Sequence, residues 1–134
     1  MKESGLYQRL RKRILTAFPT ARIDRVENGL VDGMPDVSLC INGRDVWMEL
    51  KYVEDWPARD TTQVLGRRGL RPEQVNWHIR QHVAGGVSLI VVGVGRETRV
   101  TDNQDVREIN SWTRLDWMEE SMTLDDFLKS LEKA

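Results

Sequence analysis

Residues 33–51 read GMPDVSLCINGRDVWMELK. At their centre Asn42-Gly43 sits between two runs of alternating apolar residues. This is the strongest short-range signal for a β-hairpin, because a two-residue type I′ turn demands positive φ at both central positions. The turn also sets the register. With Ile41 opposite Arg44, Leu39 meets Val46, Val37 meets Met48 and Asp36 meets Glu49. One face of the ribbon then carries Val37, Leu39, Ile41, Val46, Met48 and Leu50, a core face. The other carries Asp36, Ser38, Cys40, Asp45, Trp47, Glu49 and Lys51.

Directly opposed residues have Cβ atoms roughly 4.5–5.5 Å apart, and like charges so placed weaken a ladder. A divalent cation reverses that sign. Hard cations such as Mg2+ take one or two carboxylates together with water and substrate phosphate. A lysine beside the pair can orient or deprotonate an attacking water, or neutralise charge developing on a phosphate. On charge spacing alone an equal reading stays open: a solvated polar face with an ordinary Glu-Lys strand pair.

Outward from the hairpin, Leu6, Leu10, Ile14 and Phe18 recur every four residues and predict a helix over about 4–18, closed by Pro19. Residues 21–26, ARIDRV, alternate as a short strand. Downstream, Pro72 suits a first helical position, Val75, Ile79 and Val83 form an apolar stripe, and Gly85-Gly86 supply a stop. Gln74, His78 and Gln81 share another face of that helix. VSLIVVGV then reads as a strand buried on both sides. Residues 96–100 suggest a further short strand, Asp105 to Met118 a weakly phased helix, and Leu124, Phe127, Leu128 and Leu131 a last amphipathic helix after Thr123. Trp112 and Trp117 suit either the core or a subunit contact.

The chain of 134 residues fits one domain, 1–134, with 40% apolar and 31% charged residues. It contains no apolar run long enough to span a membrane and no signal-peptide pattern. One cysteine, Cys40, allows no internal disulfide and fits a reducing cytosol. It lacks a Cys-His-acid constellation, so a nucleophile is disfavoured. His78 and His82 have zinc-ligand spacing without a third ligand in pattern. Net charge is −1, but residues 1–100 hold 16 Lys and Arg against 12 Asp and Glu, and residues 101–134 hold 4 against 9. A basic front and acidic tail permit a polyanion partner.

Pro35-Asp36, twelve intervening residues, then Glu49-Leu50-Lys51 resembles the PD-(D/E)xK nuclease signature. The Gln-bearing helix and apolar strand of RPEQVNWHIRQHVAGGVSLIVVGVG, residues 71–95, are similar to the virus-type replication-repair nuclease (VRR-NUC) branch and to related phage Holliday-junction-resolvase-like endonucleases. The resemblance covers about residues 20–95, with 104–134 as a C-terminal helical extension. It implies an α/β, restriction-endonuclease-like core: a mixed sheet of about four or five strands flanked by helices. It implies a metal-dependent DNA endonuclease hydrolysing phosphodiester bonds. Asp36, Glu49 and the Leu50 carbonyl would hold Mg2+, or Mn2+ in its place, with Lys51 at the attacking water and Gln74 reaching the metal site or a phosphate.

The resemblance further implies an additional upstream acid. Glu27 is preferred over Glu3, because Glu27 follows the first strand and can fold back onto the hairpin. It also implies a homodimer acting on branched DNA in the cytoplasm of a bacterial or phage-infected host. The alternatives are a homing or restriction-type enzyme reading duplex sequence, and a non-catalytic DNA-binding module. Residues 52–71 form a long connection in which Arg59, Arg67, Arg68 and Arg71 suggest a clamp on the phosphate backbone, with Gly66 and Gly69 permitting mobility. Lys12 and Arg13 on the first helix are a weaker candidate for the same contact. A mobile charged loop and an ordinary solvated helix face are the bland alternatives.

Overall fold

The computed structural model describes residues 3–26 and 31–132. Helix α1 (Glu3–Ala17) is followed by β1 (Arg22–Arg25), β2 (Val37–Ile41) and β3 (Arg44–Val53). The chain continues through α2 (Pro72–Val83), β4 (Ser88–Val94), β5 (Glu97–Asp102), α3 (Arg114–Glu120), β6 (Met122–Thr123) and α4 (Leu124–Glu132).

The hairpin register is the one the turn dictates: Ile41 pairs Arg44, Leu39 pairs Val46 and Val37 pairs Met48. Asn42 and Gly43 take φ of 50° and 77°, the left-handed geometry of a type I′ turn. Among the described residues six strands lie in the order β1-β2-β3-β4-β5-β6, more than the four or five expected, because Met122–Thr123 adds a short edge strand to β5. Among the described strands only β3 and β4 run parallel. A parallel pair needs a long crossover, and residues 54–87 with α2 supply it.

Strand alternation sorts the core into two layers. Met48, Leu50, Leu89 and Val91 face α1 and α4, where Leu6, Leu10, Ile14, Phe127 and Leu128 meet them. Val53, Ile90, Val92 and Val94 face the opposite side, against Val64, Leu65, Leu70, Ile109, Trp112 and Trp117. Every residue of β4 is buried, as a strand covered on both faces must be. Helix α1 sits close to the sheet because a methyl group at Gly93 would lie 3.0 Å from Leu6. That approach brings the start of α1, with Glu3, toward the end of β3.

Two expectations change. Asp105–Met118 is not one helix but two 3-10 turns, Asn103–Asp105 and Ile109–Ser111, followed by α3. The poor helical phase is explained by burial at Asn103, Val106, Ile109 and Trp112, a spacing near three residues per turn. The long connection is also built rather than loose. Gln63 bridges Thr113, the Val64 N–H donates to the Trp112 carbonyl at 3.0 Å, and Gly66–Arg68 form a 3-10 turn.

Candidate active site

Glu49 and Lys51 leave β3 on the face toward α2, opposite the core residues Met48 and Leu50 that flank them. Glu49 is only 5% exposed. Gln74, at the third position of α2, meets both. Its Oε1 accepts from the Arg71 backbone N–H at 2.8 Å, which caps the helix start. The same oxygen accepts from Lys51 Nζ at 3.1 Å, and Gln74 Nε2 donates to Glu49 Oε2 at 3.3 Å. Lys51 Nζ stands 4.0 Å from Glu49 Oε2. Helix capping and site geometry therefore share one amide.

Asp36 is placed just ahead of β2, where its carbonyl accepts from the Val26 N–H at 2.6 Å. Gly33, at φ 78°, lets this segment press on α2: a methyl group there would stand 2.0 Å from the Glu73 carbonyl oxygen. Asp36 Oδ2 lies 3.5 Å from Arg25 Nε. Arg25 also reaches Glu3 Oε1 at 3.8 Å and lies over the Tyr7 ring, 5.4 Å from its centroid.

Glu3, Asp36, Glu49, Lys51 and Gln74 line one cleft of about 500 Å³, completed by Arg67, Arg68 and Arg71. Burial raises the Glu3 carboxyl above its ordinary range; nearby Lys51 and Arg25 oppose the rise, while Asp36 and Glu49 add to it.

Three of the arginines expected near the site thus reach it. Arg59 does not line the cleft and is exposed on the connection. Arg13 is paired with Asp125 of α4, so its charge is already matched within the fold, and Lys12 is exposed away from the cleft. Glu27 lies outside the described residues. Among the described residues Glu3, the second choice, is an upstream acid that lines the cleft. Arg25 was missed altogether. Its only sequence signal is its place at the end of β1, which pairs Arg25 with Val37, next to Asp36.

His78 is fully buried behind Glu49, whereas His82 is exposed, so the two do not share a site. Cys40 pairs with Asp45 across the hairpin, and its thiol is raised chiefly by a hydrogen bond with Asp45. That is opposite to what an activated nucleophile needs.

Among the described residues no three His, Cys, Asp or Glu side chains converge tightly enough to cage an ion by themselves. Asp36 Oδ1 is nevertheless buried without a hydrogen-bond partner, and Glu49 Oε2 meets only the long contacts from Gln74 Nε2 and Lys51 Nζ. Buried carboxylate oxygens call for a partner, and a hard cation that keeps most of its waters needs only one or two such groups. The donor set therefore fits a hard divalent cation that keeps most of its waters, and does not fit a closed structural metal centre.

No family model matches the chain, and no curated protein matches its sequence. Its structure is similar to that of Hjc, a Holliday junction resolvase from the archaeal hyperthermophile Archaeoglobus fulgidus, with a TM-score of 0.57 over 90% of this chain and 98% of the resolvase. Sequence identity is 12%, so what the two share is the fold: a restriction-endonuclease-like α/β core with helices on both faces of a mixed sheet.

Proposed function

We propose that this chain is a metal-dependent endonuclease of the PD-(D/E)xK type that hydrolyses phosphodiester bonds in branched DNA. The observation that carries the reading is the convergence of Asp36, Glu49, Lys51 and Gln74 on one cleft whose rim holds Arg67, Arg68 and Arg71. Glu49 and Lys51 lie deep in the cleft, with Asp36 nearer its mouth and exposed guanidinium groups around it, which suits a phosphodiester: cation and base inside, backbone contacts outside.

Asp36, Glu49 and the Leu50 carbonyl would hold the divalent ion, with Glu3 the nearest further acid. When bound, the ion supplies Lewis acidity and lowers the pKa of water. The remaining work belongs to the chain. Gln74 accepts from the Lys51 ammonium and donates to Glu49, so it keeps the two at a fixed separation. Lys51 orients the attacking water and balances the charge that grows on the phosphate. The arginines hold the strand in line. The Gln-bearing helix before a buried strand supports the virus-type replication-repair branch within this fold. A homodimer with two such clefts suits a four-way junction, the substrate type that the similar archaeal resolvase is named for. Cytoplasmic action on DNA goes with this reading, and no helix among the described residues is long and apolar enough to cross a membrane.

The test is digestion of a panel of labelled DNAs, including four-way junctions, forks, flaps and linear duplexes of varied sequence, with Mg2+, Mn2+ or chelator. Junction cleavage that requires the ion is expected. Glu49→Ala and Lys51→Ala should each lower the rate by about 100-fold or more while DNA binding persists. Equal cleavage by the variants would defeat the proposal.

A further inference from the structure

Two of the buried polar atoms without a hydrogen-bond partner face each other: Glu49 Oε1 and His78 Nε2, 3.9 Å apart. His78 is 0% exposed and Glu49 5%. The other ring nitrogen is engaged, since His78 Nδ1 and Ser88 Oγ share a hydrogen bond of 2.6 Å. Ser88 is itself fully buried, at the first position of β4, where it pairs with Trp47 of β3. Ser88 and His78 therefore stand on rigid elements directly behind the acid. A core histidine kept only for packing would have both nitrogens satisfied. Here one nitrogen is satisfied and the other is aimed at a carboxylate.

We infer that His78, oriented by Ser88, is a positioning residue that donates from Nε2 to Glu49 Oε1 and so presents Glu49 Oε2 to the divalent ion. This rests on the reading of Glu49 as a metal ligand. When the Ser88 hydroxyl donates to Nδ1, the single N–H of the neutral ring sits on Nε2 and points at the acid. Side-chain motion of about 1 Å closes the contact to hydrogen-bond length. Glu49 is then held from both ends, by His78 on Oε1 and by Gln74 on Oε2. Carboxylates that ligate metals are commonly steered by such partners, and their loss weakens metal affinity about 10–100-fold. In this fold the cleft-facing contacts of Glu49 come from α2 at Gln74, and the hidden contact comes from the next turn of the same helix at His78.

The test is Mn2+ binding to the intact protein without DNA, followed by the electron paramagnetic resonance of the free ion. His78→Phe should bind about tenfold more weakly. His78→Gln, which returns an N–H near the Nε2 position, should recover most of the loss. Ser88→Ala should fall between wild type and His78→Phe. Unchanged affinity in His78→Phe, beside a Glu49→Ala variant that loses the ion, overturns the inference alone. Retained affinity in Glu49→Ala overturns the metal-site reading and this inference with it. Side-chain 15N shifts of wild-type His78 give a check that needs no variant: the proton is expected on Nε2, and a proton on Nδ1 overturns the inference.

Discussion

Each carboxyl group of the cleft is held differently, and the differences set what single substitutions should do. Glu49 is buried against α2 with only long polar contacts, from Gln74 Nε2 at 3.3 Å and Lys51 Nζ at 4.0 Å. Asp36 leans on Arg25 at 3.5 Å. Glu3 is the one whose proton affinity is clearly moved, upward, first by burial and then by Asp36 and Glu49 against the pull of Lys51 and Arg25. A carboxyl raised on folding binds its proton more tightly in the native state. Its contribution to stability is intact below the ordinary carboxylate range and is lost as pH rises through the raised value. Without divalent ions, Glu3→Gln is therefore expected to raise the urea midpoint at pH 7. The gain should vanish below the ordinary carboxylate range, at about pH 3, where wild type and variant carry the same charge at this position. A gain that grew on acidification would contradict the placement of Glu3 among these acids.

At the scale of elements, the site is positioned by close backbone approaches. The turn at Gly33 bears on the N-terminus of α2, where a methyl group would stand 2.0 Å from the Glu73 carbonyl oxygen, at a φ of 78°. Gly33→Ala combines positive φ with backbone overlap and is expected to cost about 2 kcal/mol or more. Chemical denaturation would measure this, and loss of cleavage should accompany it because Asp36 follows three residues later.

The arginine-bearing turn is held from the other side. Asn110 Oδ1 accepts from the Leu70 N–H and Asn110 Nδ2 donates to the Leu70 carbonyl, both at 2.8 Å. A buried backbone donor or acceptor left without its partner costs roughly 1–3 kcal/mol. Asn110→Ala should therefore open this turn locally and speed tryptic cleavage after Arg67 and Arg68 by about tenfold. Unaltered proteolysis would mean that the turn is held by its apolar residues Val64, Leu65 and Leu70 alone.

For the molecule as a whole, charge is laid out by depth and by end. Arg67, Arg68 and Arg71 rim the cleft, while the acidic C-terminal region contributes Asp125, which pairs with Arg13 at the surface. Substituting the three rim arginines by Ala should flatten the dependence of log affinity on log salt by about one unit per lost phosphate contact on duplex DNA. Lys12→Ala and Arg59→Ala should leave the slope nearly unchanged. Salt titration of junction binding would separate the two sets.

Much of this architecture was legible locally. The Asn42-Gly43 turn dictated the hairpin register and therefore the common face of Glu49 and Lys51, because a two-residue loop allows one pairing and side chains alternate strictly. The apolar stripe of α1, the Pro72 start of α2 and the uniform burial of β4 follow from short-range periodicity for the same reason. Tertiary structure decided what depends on approach between distant segments. Glu3 reaches the acids because α1 lies over Gly93, Arg25 stands beside Asp36 because β1 joins the hairpin edge, and His78 lies behind Glu49 because α2 crosses above β3 and β4. Arg13 pairs at the surface with Asp125 of α4, and the 54–71 connection is fastened by Asn110 and Thr113. Spacing along a chain reports which face of an element a residue occupies, but only packing determines which faces meet.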